Sequence, residues 1–394
     1  MNRAPHSFDI SCSYRLGKSK TKKRLGTSKL EGYIILKDGK SHIRLPMRSF
    51  VRSFIDRMHD ILAGENTDER VDLHTASSAA AGSLARITGI LLGDGTTPSV
   101  VTDTDLESIV SSVSYGCEYK DHTFAAPYVL DGGALRTTVT RLITNASGNP
   151  WTIREVGLKT KNIASTASDE GILLVTHDTG LSEIFSAATD KQVQIAFQVG
   201  RSDSNGGAVL NLLRVFYNLF LSGDANYSAF VPRVGTVTVS HASASATSHL
   251  VVDGVAAKFW GVVVGVYDTT TVNQEPIDGF EGGGDDPGIN PTVGPDDYNF
   301  DINVSDLTYG ANTVTAVVIS GKKVSFTVSR DITNGGTASV RINRIGLVTK
   351  GATAAPTVLV DDQIFLMINR SPQNINIAPA QTVRVEYKFE IQGD

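Results

Sequence analysis

The word in this chain most suggestive of catalysis is His177-Asp178-Thr179-Gly180, whose Asp-Thr-Gly is also the word of aspartic proteases. That chemistry needs two carboxylates sharing one proton. No second Asp-Thr-Gly or Asp-Ser-Gly follows, so the word reads as a turn. Gly93-Asp94-Gly95-Thr96-Thr97 resembles a phosphate loop only in its glycines. No Gly-Lys-Ser/Thr completes it, and it reads as a turn at a strand end. The eight histidines are His6, His42, His59, His74, His122, His177, His241 and His249, and no pair stands at zinc-ligand spacing with a Cys or carboxylate. Cys12 and Cys117 are too few for a disulfide scaffold or a four-thiolate zinc site and read as inert, buried thiols. Trp151 and Trp260 sit in strand-like segments and read as core, with sugar stacking by one of them left open. These residues predict no catalytic group, no cofactor and no metal site.

Two charged stretches stand apart. Arg15–Lys29 contains Lys18, Lys20, Lys22, Lys23 and Arg24 and no acid. Three readings compete for this basic arm: a solvated tail, docking on an acidic neighbour such as the next subunit, or weak phosphate contact with nucleic acid. The Gly/Asp-rich stretch Gly279–Asp297 contains Glu281, Asp285, Asp286, Asp296 and Asp297 and no base. It lacks the one-three-five ligand spacing of a calcium loop and reads as an exposed flexible loop.

The strongest signal is an internal repeat, which must be sought before any fold is assigned. Residues 138–161 align without a gap on 327–350 at an offset of 189. Arg141 falls on Arg330, Asn145 on Asn334, Gly157 on Gly346 and Leu158 on Leu347. Upstream, Ile90–Gly93 matches Val262–Gly265 at offset 172, a net insertion of 17 residues that Gly279–Asp297 would supply. Downstream, Val193, Ile195, Phe197 and Val199 match Val383, Val385, Tyr387 and Phe389. The repeated residues have framework explanations. Gly inside an apolar strand marks a bulge or close backbone approach. Asn at a turn bonds locally or takes positive φ. Arg141 and Arg330 would bridge strand carbonyls or a carboxylate.

The elements that must carry these residues are mostly strands. Residues 193–199, 383–389 and 324–328 alternate apolar and polar with period two. Each repeat holds one convincing helix: Met47–Ala63, with Phe50, Phe54, Met58, Ile61 and Leu62 on one stripe, and Leu210–Leu221, apolar almost all round. The expected fold is mainly β: two tandem antiparallel β-sandwich domains, each with one flanking α-helix, plus an extended N-terminal arm. The expected divisions are a basic arm over 1–25, a first unit over 26–203 and a second over 204–394 with its insertion near 279–297.

Composition bounds the class. The 394 residues are 41% hydrophobic and 20% charged, far from the disordered class. A net charge of -5 argues against a polyanion binder as a whole. The 37 glycines have no triplet period, which excludes collagen. No apolar run reaches the roughly 18 residues a membrane span needs. The first nine residues hold no apolar stretch of the kind a secretory leader uses.

The string from Gly93–Pro98, through Asp105-Leu106-Glu107-Ser108, to Thr140–Asn145 and Glu155–Leu158 resembles a module of tailed-bacteriophage virion proteins. That module typically ends in a Val-x-Val-x-Tyr strand, which Val383, Val385 and Tyr387 echo; the first copy departs with Phe197 in place of Tyr. The resemblance implies a non-enzymatic virion component of the neck, tail or their decoration, located in the virion and assembled in the host cytoplasm. It implies a homo-oligomeric ring or tube whose partners are itself and other virion proteins, with no membrane. The alternatives are a receptor- or glycan-binding fibre or adhesin, and a subunit of a bacterial surface filament.

Overall fold

A computed structural model describes residues 7–39, 41–47, 50–63, 71–72, 88–110, 116–129, 135–162, 172–199, 206–208, 210–217, 226–230, 237–240, 252–254, 261–265, 306–350 and 363–393. Their elements run β1 (Ser7–Leu16), β2 (Lys23–Asp38), β3 (Ser41–Pro46), α1 (Arg52–Ala63), β4 (Val71–Asp72), β5 (Gly89–Gly93), β6 (Cys117–Val129), β7 (Leu135–Asn145), β8 (Trp151–Asn162), β9 (Ile172–Phe185) and β10 (Thr189–Val199). The second part runs β11 (Gly206–Ala208), α2 (Leu210–Tyr217), β12 (Asn226–Phe230), β13 (Val237–Ser240), β14 (Gly261–Gly265), β15 (Leu307–Val314), β16 (Val318–Ser320), β17 (Lys323–Asn334), β18 (Val340–Lys350), β19 (Gln363–Ile377) and β20 (Thr382–Gln392). The protein is mainly β and its sheets are antiparallel.

One ten-stranded sheet dominates, in the order β15-β17-β20-β1-β2-β10-β7-β6, with β16 also on β17 and β3 also on β2. This order reads the same from both ends once the repeat is applied. The repeat places β17 on β7, and the pairings then place β20 on β10, β15 on β6 and β1 on β2. The junction β1:β2 is antiparallel, as a local two-fold requires. Two smaller sheets repeat as well. In one, β5 and β9 flank β8; in the other, β14 and β19 flank β18, with β11 added on β19.

The residues read as an extended arm include a strand of the main sheet. Phe8, Ile10, Cys12 and Tyr14 of β1 are buried and alternate with half-buried neighbours. This is the period-two pattern of a strand covered on one face. β1 pairs with β2 on one side and with the chain's last strand β20 on the other. It therefore completes the sheet of the second half although it precedes the first. The helices bridge the halves: α1 meets β9 of the first half and also β17 and β20, and α2 meets β19 of the second half and also β6 and β7. The halves interlock instead of following one another in tandem. The main apolar core runs through both, where Phe8, Phe54, Phe197, Phe216 and Phe389 meet, with Phe197 and Phe216 ring centroids 4.5 Å apart.

Three further expectations are corrected. The first helix begins at Arg52; Met47 and Phe50 lie before it, buried, and the Met47 N–H bonds the Gly32 carbonyl. His177–Gly180 is no free turn but part of β9, where His177 pairs with Gly157. The final strands match two residues further on than alternation suggests. Val193 pairs with Arg141 and Val385 with Arg330, so Ile195, not Phe197, stands where Tyr387 does. A two-residue slip leaves every side chain on its own face, so a period-two pattern cannot detect it. The acidic residues Glu281, Asp285, Asp286, Asp296 and Asp297, and Trp260, lie outside the described residues.

Candidate functional site

The repeated polar residues build one device twice. β6 bulges between Tyr119 and His122, and β15 bulges between Tyr309 and Asn312. A bulge leaves a backbone carbonyl without its ladder partner. Arg141 Nε donates to Lys120 O (2.8 Å) and Arg330 Nε to Gly310 O (2.7 Å), the carbonyls at these two bulges. Their Nη1 atoms then reach the small sheets, at Ile90 O (3.0 Å) and Val262 O (3.1 Å). Tyr119 and Tyr309 each lie 4.7 Å beneath their guanidinium; Tyr119 Oη accepts the Leu92 N–H of β5 (3.2 Å) and donates to Val110 O (2.8 Å), and Tyr309 Oη donates to Val264 O of β14 (3.0 Å). Of the two readings for these arginines, the strand carbonyls hold.

His122 and Asn312 are the next matched pair. Ile90 N–H donates to His122 Nε2 (3.1 Å), and Val262 N–H to Asn312 Oδ1 (2.8 Å). The histidine must be neutral to accept, and burial followed by the Arg141 charge holds it well below its usual range. Asn does the same work without a charge, which is why the two types exchange here. Gly89 and Gly261, at φ +86 and +75, let the strand pass against these side chains. A Cβ at either would run into the His122 ring or the Asn312 amide.

Asn145 and Asn334 close the next turns. Asn145 Nδ2 donates to the carbonyls of Asn149 and Phe185 (both 3.1 Å), and its Oδ1 accepts from Ser147 N–H (3.0 Å). Asn334 repeats this with Ala338 O (2.8 Å), Ile377 O (2.9 Å) and Gly336 N–H (2.9 Å). Leu158 and Leu347 are fully buried core residues. Gly157 is a close approach: a Cβ there would strike Leu106. Cys12 and Cys117 are free, buried thiols whose pKa burial pushes up to about 12. Lys18, Lys20, Lys22, Lys23 and Arg24 are exposed, from the β1–β2 turn into the start of β2, and Lys22 pairs with Glu386 of the same chain.

What is not duplicated is the candidate site. Between Gly93 and Val110 the chain makes a long loop without regular structure, yet it is densely tied. Loops of this length inside compact folds are usually functional. Glu155 on β8, 0% exposed, is its anchor. Its carboxylate accepts the backbone N–H of Gly95 (3.2 Å), Glu107 (3.1 Å) and Ser108 (2.7 Å). His177 on β9, 3% exposed, lies between two carboxylates: Nε2 is 2.9 Å from Glu155 Oε2 and Nδ1 2.7 Å from Asp103 Oδ2. Lys159 ties Asp105 at 2.7 Å. Glu107 caps the loop tip, accepting Thr96 N–H and Thr97 N–H (both 2.7 Å).

Burial opposes the charged form of His177, but hydrogen bonds to Glu155 and Asp103, with their charges, raise its pKa above the usual 6.5. Burial likewise opposes ionised Glu155, and His177 with the Ser108 and Glu107 amides lowers its pKa below 4.5. Both shifts favour an imidazolium with one N–H directed at Glu155 and the other at Asp103. Both ring nitrogens are engaged, so neither faces a reacting group as a general base must. The chemistry is that of a clamp: buried charge holds backbone in place. In the second half Arg344 occupies the position of Glu155, and Ile368 and Asn369 the register positions of His177 and Asp178. Among the described residues, no group of three or more His, Cys, Asp or Glu is placed to hold a metal ion, and no helix is long and apolar enough to cross a membrane.

Sequence reading missed His177, Glu155 and Asp103 as a set, because the three are joined only by folding. One signal was present: the words Gly93–Pro98, Asp105–Ser108 and Glu155–Leu158 already stood together in the resemblance, and these are the segments that meet at the Glu155 carboxylate. Comparison of the chain with known protein families, with curated proteins and with solved structures finds no match.

Proposed function

We propose that this chain is a non-enzymatic structural subunit of a bacteriophage virion, of the neck or tail region, acting by self-assembly into a ring or tube. The observation that carries the reading is that three of the four words in the virion-like string meet at the Glu155 carboxylate, which supports reading them as parts of one folded unit. The duplication supports it too. Both copies keep the groups that secure backbone, Arg141/Arg330, His122/Asn312 and Asn145/Asn334, and the buried Asp103–His177–Glu155 cluster is spent on holding a loop.

We read each half as a two-layer sandwich. Arg141 on the large sheet reaches Ile90 on the small one, and Tyr387 Oη donates to Ile345 O (3.1 Å) across the same gap in the second half. A chain with two like halves fills two equivalent places in a closed assembly. The test is electron microscopy and sedimentation of the chain alone and co-expressed with the products of neighbouring genes. Rings, tubes or incorporation into particles are the expected result. A species that stays monomeric under both conditions overturns the proposal.

A further inference from the structure

Among the described residues the main path of the ten-stranded sheet ends at two edges, β6 and the β15–β16 segment, apart from the short β3 on β2, and the repeat makes the two equivalent: Tyr119 and Tyr309 pair with matched residues, as do Tyr128 and Val318. They differ in how they are guarded. Edge strands invite pairing with another chain unless charge, proline or bulges prevent it. β6 carries Glu118 and Lys120, and has Pro127, which offers no N–H, at the position of Val317; its irregularity between Ala125 and Tyr128 recurs between Thr315 and Val318 and does not set the edges apart. On the other edge, residues 308–320 hold no charged residue and no proline. At its end Thr315-Ala316-Val317-Val318-Ile319-Ser320 is rich in β-branched residues and uncharged, the composition of segments that pair between chains. Val318 is 56% and Ile319 43% exposed, and all three residues of β16 face solvent. Among the described residues β16 pairs with β17 alone. The inner part of this edge is covered, since Gly254 N–H bonds Asn312 O and Val314 N–H bonds Asp253 Oδ1. The open stretch is therefore confined to the hairpin end.

We infer that the β16 edge is a self-association surface, on which β16 of a second copy pairs antiparallel and extends the sheet across a new two-fold axis. An isologous contact sets the same segment against itself. Any charge on it would face its like, and this segment has none. The chain already uses such a junction internally, where β1 and β2 join the two half-sheets antiparallel about the local two-fold. The inference rests on the self-assembly reading and names one of its interfaces.

The experiment is sedimentation velocity of the full chain over a wide concentration range, for wild type, Val318→Lys/Ile319→Lys, and Glu118→Ala/Lys120→Ala on the opposite edge. Circular dichroism and melting confirm that each variant is folded; all substituted side chains are exposed. The expected result is a concentration-dependent dimer in wild type and in the β6 variant, with the dissociation constant at least tenfold weaker in the β16 variant. A second readout is Ile319→Cys: with Cys12 and Cys117 buried, a short bis-maleimide is expected to link two copies through residue 319. Assembly that the β16 lysines leave unchanged, or no linked dimer at residue 319, overturns this inference and leaves the self-assembly reading standing. A wild type that is monomeric alone also overturns it, and monomer with partners present overturns both.

Discussion

Replacing His177 by Gln tests whether the Asp103–His177–Glu155 cluster is an ionic clamp. In wild type the imidazolium donates at 2.7 and 2.9 Å to two carboxylates, one of them fully buried. A glutamine amide reaches at most one of them, and the three backbone N–H donors still hold Glu155. Hydrogen bonds to charged groups contribute about 1.5–3 kcal/mol each, so the variant is expected to lose about 2–3 kcal/mol near pH 5.5. The pH dependence carries the argument. The folded pKa of His177 is raised above 6.5, so its contribution is complete below 6.5 and is lost as pH rises through the folded value. That of Glu155 is lowered, so its contribution is complete above 4.5 and is lost as pH falls through the folded value. The gap between wild type and variant is therefore widest from about 4.5 to 6.5 and narrows in alkali. Denaturant unfolding at stepped pH measures it, and hydrogen-exchange mass spectrometry of the 94–110 peptide reads the Gly95, Glu107 and Ser108 amides directly. A loss that is constant with pH, or that grows towards pH 9, would refute the clamp.

Other expectations follow from the duplicated device. Arg141→Met and Arg330→Met each strand buried carbonyls, at about 1–3 kcal/mol per acceptor; similar losses of about 3–5 kcal/mol are expected in both, with no rescue by Lys, whose point charge cannot span bulge and small sheet together. Equal denaturation midpoints for a Lys variant and wild type would contradict this. Gly89→Ala and Gly261→Ala should both lower the melting temperature sharply, since each adds a Cβ at positive φ against the packed side chain of His122 or Asn312; His122→Ala beside Gly89→Ala should recover part of the loss, measured by a double-mutant cycle. Asn145→Ala and Asn334→Ala are each expected to cost about 1–3 kcal/mol, because a buried amide donor and acceptor vanish together while their backbone partners remain. A variant within 0.5 kcal/mol of wild type, on the scale of an ordinary surface change, would mean that these turns are held by something else.

The interlocked arrangement changes what the duplication means. Had the halves been consecutive blocks, each would hold its own sheet and helix. Instead β1 completes the half that is furthest from it in sequence, and each helix touches the opposite half-sheet. Cutting the chain between the halves would deprive the second of a strand and both of part of their helical cover. The molecule is a fused pair, joined through a strand junction of the kind that its β16 edge still offers.

Local pattern determined much by itself. The β class, the strand faces, the two helices and the repeat all rest on spacings of two, three or four residues and on a fixed offset, quantities that a single chain carries openly. The roles of Asn145, Asn334 and the inert cysteines were legible for the same reason, since turns and burial are local consequences of residue type. Tertiary structure alone decided the rest. Nothing near Phe8 announces that its partner strand lies at residues 382–392, because antiparallel pairing has no sequence range. Alternation could not fix the final strands' alignment, being blind to a slip of two. Asp103, Glu155 and His177 lie on a loop and two strands, separated by 52 and 22 residues, and the hydrogen bonds that hold His177 against burial exist only once the fold brings the three together.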